Sequence, residues 1–202
     1  MHILIKVNNM GNLRAKMFNR RAASSKSKPD QVLKVLGLKI GQKIADIGAG
    51  GGYFALRFGD KVGKNGLIYA VDINPESLKF IRDESKKNGI DNIETVFGDN
   101  VFNLLPKKGL DLVFIRNVYH HIPTRIEYFK KIAEVIKKDG RVAILDYNSN
   151  GTFSFHRLFG HYVPKEKIIH DMHQAGFELK KSFDFLPEQS FLIFQLKANG
   201  GV

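Results

Sequence analysis

The chain has 202 residues, 43% of them hydrophobic and 26% charged, long enough for one α/β domain to bury its own core without staples. It contains no cysteine, which excludes disulfides, thiolate metal sites and cysteine nucleophiles, and no metal site is expected. Of the formal charge of +12, residues 1–40 carry +8, from nine Lys or Arg against Asp30 alone, and the other 162 residues carry only +4. Residues 1–28 therefore read as a basic leader, a solvated and partly disordered arm or a contact for RNA or another anionic partner, ahead of a single domain over 29–202. No run approaches the roughly 18 to 20 apolar residues of a membrane helix, and the opening MHILIKVNNMGNLRAK lacks the apolar stretch of a secretory signal. A soluble, cytoplasmic chain is expected.

In chain order, Pro29 followed by DQVLKVL and Gly37 predicts a short helix over 30–36, with proline in its first turn and glycine past its end. KIADI predicts a strand, stopped by GAGGG, and YFALRFGD an amphipathic helix. GLIYAVD (66–72) reads as a strand, PESLKFIRDESKKNG as a helix between Pro75 and Gly89, and NIETVFG (92–98) as a strand. LDLVFIRN (110–117) is nearly continuous apolar sequence, as in a strand buried on both faces. TRIEYFKKIAEVIKKDG (124–140) carries a helical stripe through Ile126, Phe129, Ile132, Ala133 and Ile136, with Gly140 as its stop, and RVAILDY is a fifth strand. After a helix over 164–175, GFELKKSFDF and SFLIFQLK are strands joined by a link too short for a crossover, hence antiparallel. The class is α/β: a Rossmann-like, doubly wound, mostly parallel sheet with an antiparallel C-terminal strand.

Glycines 48, 50, 51 and 52 end the first strand and open the helix after it, where backbone can approach a ligand closely and helix amides are available. Asp46 places a carboxylate beside this loop, which suits an ammonium-bearing ligand and repels a pyrophosphate; the charge logic favours S-adenosylmethionine over NAD, against the alternative that Asp46 only caps the loop. Asp72 closes the second strand, where a carboxylate can accept both ribose hydroxyls. Because it lies at a strand end, its change to Asn is expected to weaken cofactor binding and leave the stability of the free protein almost unmoved. Gly98-Asp99-Asn100 after the third strand and Asn117 after the fourth complete a polar carboxyl edge.

The segments IADIGAGGGYFALRFG, IYAVDINPESL, FGDN, LDLVFIRNVYHHIP and IKKDGRVAILDYN resemble, in order and spacing, the motifs of class I S-adenosylmethionine-dependent methyltransferases. The likeness is strongest to the small-molecule branch that includes ubiquinone and menaquinone biosynthesis methyltransferases, and it covers residues 29–196. It implies that Gly48, Gly50 and Gly52 wrap the methionine part, that Asp72 holds the ribose, that Ile73 and Asp99 flank the adenine, and that Asn117 or its backbone lies by the methionine. It also implies a seven-stranded sheet with an antiparallel last strand. RNVY stands after the fourth strand in place of Asn/Asp-Pro-Pro-Tyr, which disfavours exocyclic-amine nucleic-acid methylation; the absence of cysteine disfavours pyrimidine C5 and arsenite methylation.

A base is needed only if the methyl acceptor carries a proton that must leave. His121 and His120, after the fourth strand, and His161, in the long segment 147–163, are the candidates, each set against a packing or exposed-loop role; Arg157 in that segment suits an anionic acceptor. Three functions stay open at this point: methyl transfer to a small molecule, RNA or protein methylation guided by the basic leader, and a non-catalytic cofactor-binding or partner-binding module.

Overall fold

The computed structural model describes residues 2–99, 101–148 and 162–198, with side chains from Gly11 onward. Seven strands form one mixed sheet in the order β3-β2-β1-β4-β5-β7-β6. The chain divides into two compact units, Met1–Leu104 and Leu105–Val202.

The first unit holds α1 (His2–Ala22), α2 (Pro29–Leu36), β1 (Lys43–Ile47), α3 (Tyr53–Val62), β2 (Leu67–Asp72), α4 (Pro75–Lys87) and β3 (Ile93–Phe97). Its three strands are parallel, with Asp46 opposite Ala70 and Asp72 opposite Phe97, so that each turns into its following loop at one common edge. Ile44, Ala45, Ile68, Ala70 and Val71 of the strands are buried, as are Phe54, Phe58 and Ile81 of the helices. Pro75 opens α4, whose N-cap Asn74 accepts a hydrogen bond from the Ser77 amide through its side chain at 3.0 Å.

The basic segment departs from the solvated arm expected of it. Residues 2–22 form a helix, and Ala15 and Ala22 are buried in the unit at 0% and 5% exposure. A methyl group on Gly11 would fall 2.6 Å from Cβ of Glu76, so α1 lies against the first turn of α4. Two alanines and a glycine let helix backbones approach closely, a signal that net charge conceals.

The second unit holds β4 (Leu110–Arg116), α5 (Arg125–Val135), β5 (Ile136–Tyr147), α6 (Lys165–Gln174), β6 (Phe177–Phe183) and β7 (Gln189–Leu196). β4 and β5 are parallel, while β7 runs antiparallel to both β5 and β6, as the short link between the last two runs requires. The expected helix 124–140 is shorter: α5 ends at Val135, and Ile136 turns extended to pair with Leu110. Ile136 is 1% exposed there, so strand pairing and burial override the helical stripe of which it was the last member. Gly140 is therefore part of the strand rather than a helix stop, in a tight place where a Cβ would meet the Leu110 carbonyl at 2.8 Å. No helix among the described residues is long and apolar enough to cross a membrane.

Candidate functional site

In the first unit, the chain leaves β1 through Gly48, Gly50 and Gly52, with φ of 73°, 57° and 78°. Those left-handed values exclude ordinary side chains at little cost only for glycine, which explains the cluster. Gly48 and Ala49 both donate backbone N–H bonds to the Val71 carbonyl, at 2.8 and 2.9 Å, tying the loop to the end of β2. Gly52 is the N-cap of α3, and a Cβ there would meet Ile81 Cγ1 at 2.6 Å.

Asp72, where β2 ends, is the electrostatic partner of this loop. One carboxylate oxygen accepts from the Gly50 amide at 2.8 Å and the other from the Asn74 amide at 2.9 Å. Two bonds do not exhaust the roughly four acceptor positions of a carboxylate, so Asp72 keeps acceptor capacity beside them. Ile73 follows with its side chain 68% exposed, and Asp99 is exposed after β3. Asp46 lies in β1, the strand expected of KIADI, and is 3% exposed. Asn100 lies outside the described residues.

One participant was hidden in the basic segment. The Asn19 side chain on α1 donates to the Gly51 carbonyl at 2.8 Å and accepts from the Tyr53 amide at 3.1 Å, while Phe18 stands 3.4 Å from where a Gly50 Cβ would be. Asn19 thus satisfies one of the orphan amides of α3 and holds the glycine loop from the helix side. Its only sequence signal is an asparagine among lysines and arginines, which carries none. Asn19→Ala removes both bonds, each contributing about 1 kcal/mol. The melting midpoint of the free protein should fall by about 2–4 °C for every kcal/mol lost. An unchanged melting curve would show that α1 does not hold the loop.

In the second unit, residues 119–121 form a single 3₁₀ turn after β4. Asn117 begins the descent with φ of 57°, a left-handed value that asparagine tolerates. Its amide group donates to Tyr147 Oη at 3.1 Å and its carbonyl oxygen accepts from Gln189, so the side chain is committed within the unit. His120 and Asp146 are brought together: Asp146 Oδ1 lies 2.7 Å from His120 Nδ1, and Oδ2 accepts from the His120 backbone amide at 2.9 Å. Both side chains are buried, at 6% and 0% exposure. His121 is exposed, its ring centroid 4.0 Å from that of His120.

Two neighbours fix the turn. Arg125 donates to the carbonyls of Tyr119 and His120, at 3.2 and 3.3 Å, and its guanidinium lies 5.1 Å from the Tyr119 ring centroid. Tyr119, fully buried, donates to Asp171 at 3.1 Å; burial first, and then the Asp171 carboxylate, push its pKa upward, so the phenol stays a donor. His161 and Arg157 lie outside the described residues. No group of three His, Asp or Glu among the described residues could hold a metal.

A parallel sheet whose first strand runs into a left-handed glycine loop, with an acid closing the second strand beside that loop, defines the Rossmann-like class that holds nucleoside cofactors at its carboxyl edge. The family model described as "Methyltransferase domain" matches residues 38–187. The chain belongs to this family and is a class I, S-adenosyl-L-methionine-dependent methyltransferase. It is 26% identical over 179 residues to a ubiquinone/menaquinone biosynthesis C-methyltransferase of Idiomarina loihiensis, covering 81% of this chain and 68% of that one. It is 28% identical over 116 residues to an aklanonic acid methyltransferase of Streptomyces sp. (strain C5), covering 57% of this chain and 53% of the relative. Among solved structures, an S-adenosylmethionine-dependent methyltransferase from Aquifex aeolicus superposes with a TM-score of 0.76 at 19% identity, covering 90% of this chain and 98% of that one.

Proposed function

We propose that the protein methylates a small organic acceptor and that its cofactor is held by Gly48, Gly50, Gly52 and Asp72. The observation that carries the cofactor assignment is the Asp72 carboxylate, fixed by the Gly50 and Asn74 amides at the lip of the glycine loop. In this reading Asp72 accepts the ribose hydroxyls, and exposed Ile73 offers an apolar face to the adenine. Asp99 borders the adenine from the end of β3. Asp46 lies within β1 as a buried carboxyl group on the side of the amino-acid portion. The bound cofactor supplies a methyl group on a sulfonium whose leaving group is neutral, so the protein's task is chiefly orientation.

A small-molecule acceptor is favoured by the relatives, whose names specify ubiquinone/menaquinone biosynthesis and aklanonic acid. The exposed Arg14, Lys16, Arg20 and Arg21 of α1 keep RNA as a second reading. Calorimetry should show adenosylhomocysteine binding well ahead of NAD, and label from methyl-labelled S-adenosylmethionine should pass to a metabolite fraction. Tight NAD binding with none of adenosylhomocysteine would overturn the cofactor assignment. Label entering RNA, with binding that collapses as salt rises, would move the acceptor to nucleic acid; cofactor binding without transfer to either would leave a binding module. A cytoplasmic location agrees with these acceptors.

A further inference from the structure

Helix α1 has two faces of different character. Gly11, Ala15 and Ala22 recur at helical spacing on the side that packs against its own unit, where Glu76 of α4 lies by Gly11 and Asn19 bonds the glycine loop. The opposite side carries Leu13 and Met17, one turn apart and 70% and 41% exposed. Cations frame this apolar ridge. Lys16 and Arg20, one turn apart, stand on one flank, and Arg14 and Arg21, two turns apart, on the other, all of them exposed. Arg14 also rests on the Phe18 ring, its guanidinium 5.4 Å from the centroid. Residues 1–28 contain no Asp or Glu, and the sequence that opens α1, HILIKV, adds apolar residues and another lysine.

Scattered exposed apolar residues are ordinary on a protein surface, but two on adjacent turns, bracketed by cations and with no acid in the segment, form a pattern with one good partner. Charge decides among the occupants. A second copy of this face would bring like charge to like charge. The phosphates of RNA would match the cations but leave Leu13 and Met17 in water at the centre of the contact. An anionic bilayer satisfies both sets: the apolar side chains sink among the headgroups, and the Lys and Arg stems reach sideways to the lipid phosphates. We propose that the outer face of α1 seats the protein on an anionic lipid surface, with Leu13 and Met17 inserted and Arg14, Lys16, Arg20 and Arg21 on the headgroups. The inner face stays docked, so Asn19 keeps its bonds to Gly51 and Tyr53 while the helix lies on the lipid. This seat is independent of which acceptor is methylated, and it stands even if the small-molecule reading falls.

Flotation of the full chain with vesicles, at physiological ionic strength, tests it. Wild type should rise with vesicles of equimolar phosphatidylcholine and phosphatidylglycerol and stay behind with phosphatidylcholine alone. Leu13→Gln with Met17→Gln keeps every charge and should lower the partition coefficient by about tenfold or more, because the buried methylenes are lost. Arg14→Gln with Arg21→Gln keeps the ridge and should lower it by about 25-fold, at about fivefold for each cation near an anionic surface. Met17→Glu, which sets an acid in the ridge, should abolish flotation by itself. All these side chains are exposed, so each variant should melt with wild type and bind adenosylhomocysteine as it does. Those two controls separate a lost lipid contact from unfolding and from failure of the cofactor reading. Equal flotation on both vesicle types, flotation on neither, or a Leu13→Gln, Met17→Gln protein that floats like wild type would each overturn the lipid seat. So would a wild type that forms a dimer broken by that same variant, or one that ignores anionic vesicles and binds a labelled RNA hairpin through the cations alone.

Discussion

Asp72→Asn is expected to weaken adenosylhomocysteine binding by about one to two orders of magnitude, as the loss of a charge-assisted acceptor to a ribose requires. The structure adds a second effect that the sequence argued against. Both carboxylate oxygens already accept backbone N–H groups, from Gly50 and from Asn74, so asparagine must turn its own NH₂ toward one of these donors. A donor facing a donor loses one bond and leaves an amide unsatisfied, which costs about 1–3 kcal/mol. The free protein should therefore melt lower as well, in place of the near-zero change expected for a residue at a strand end. Calorimetry with adenosylhomocysteine and a melting curve without ligand separate the two effects. Equal affinities would remove Asp72 from the ribose site; weaker binding with an unchanged melting point would show that its amide contacts do not stabilise the loop.

What the sequence shows and what it hides divide along physical lines. Glycine clusters, apolar runs and proline-led helices are local signals, and they place β1, α3, β2, α4 and β4 within a residue or two of where they lie. The antiparallel end of the sheet was equally legible, because four residues cannot carry a chain across to a parallel strand. The end of α5 was not, since Ile136 satisfies a helical stripe and a strand pairing alike and only the partner Leu110 decides between them. Asn19 was invisible for a different reason: its role depends on a helix docking over a loop more than 30 residues away, inside a segment whose charge suggested solvent. Among the histidines, sequence offered His120 and His121 as equals. Burial and the shared carboxylate separate them, and neither property is encoded within three residues of either ring.

The largest loss of stability is expected at that same carboxylate. Asp146 is fully buried and accepts three hydrogen bonds, from the His120 amide, the His120 ring and the Tyr147 amide. Asp146→Ala leaves three donors without their acceptor in a site too enclosed for water to replace it freely, and removing one partner of such a cluster costs about 3–5 kcal/mol. For a chain of this length that corresponds to a melting midpoint lower by roughly 6–20 °C. His121→Ala removes an exposed ring from the same turn and should change stability by no more than about 0.5 kcal/mol. Asp146→Asn should fall between them, because the amide keeps one acceptor and fills the same volume. Melting the three variants side by side without ligand orders them: Asp146→Ala lowest, then Asp146→Asn, then His121→Ala beside wild type. If Asp146→Ala melts with His121→Ala, the carboxylate is not the centre that holds the histidine turn in place.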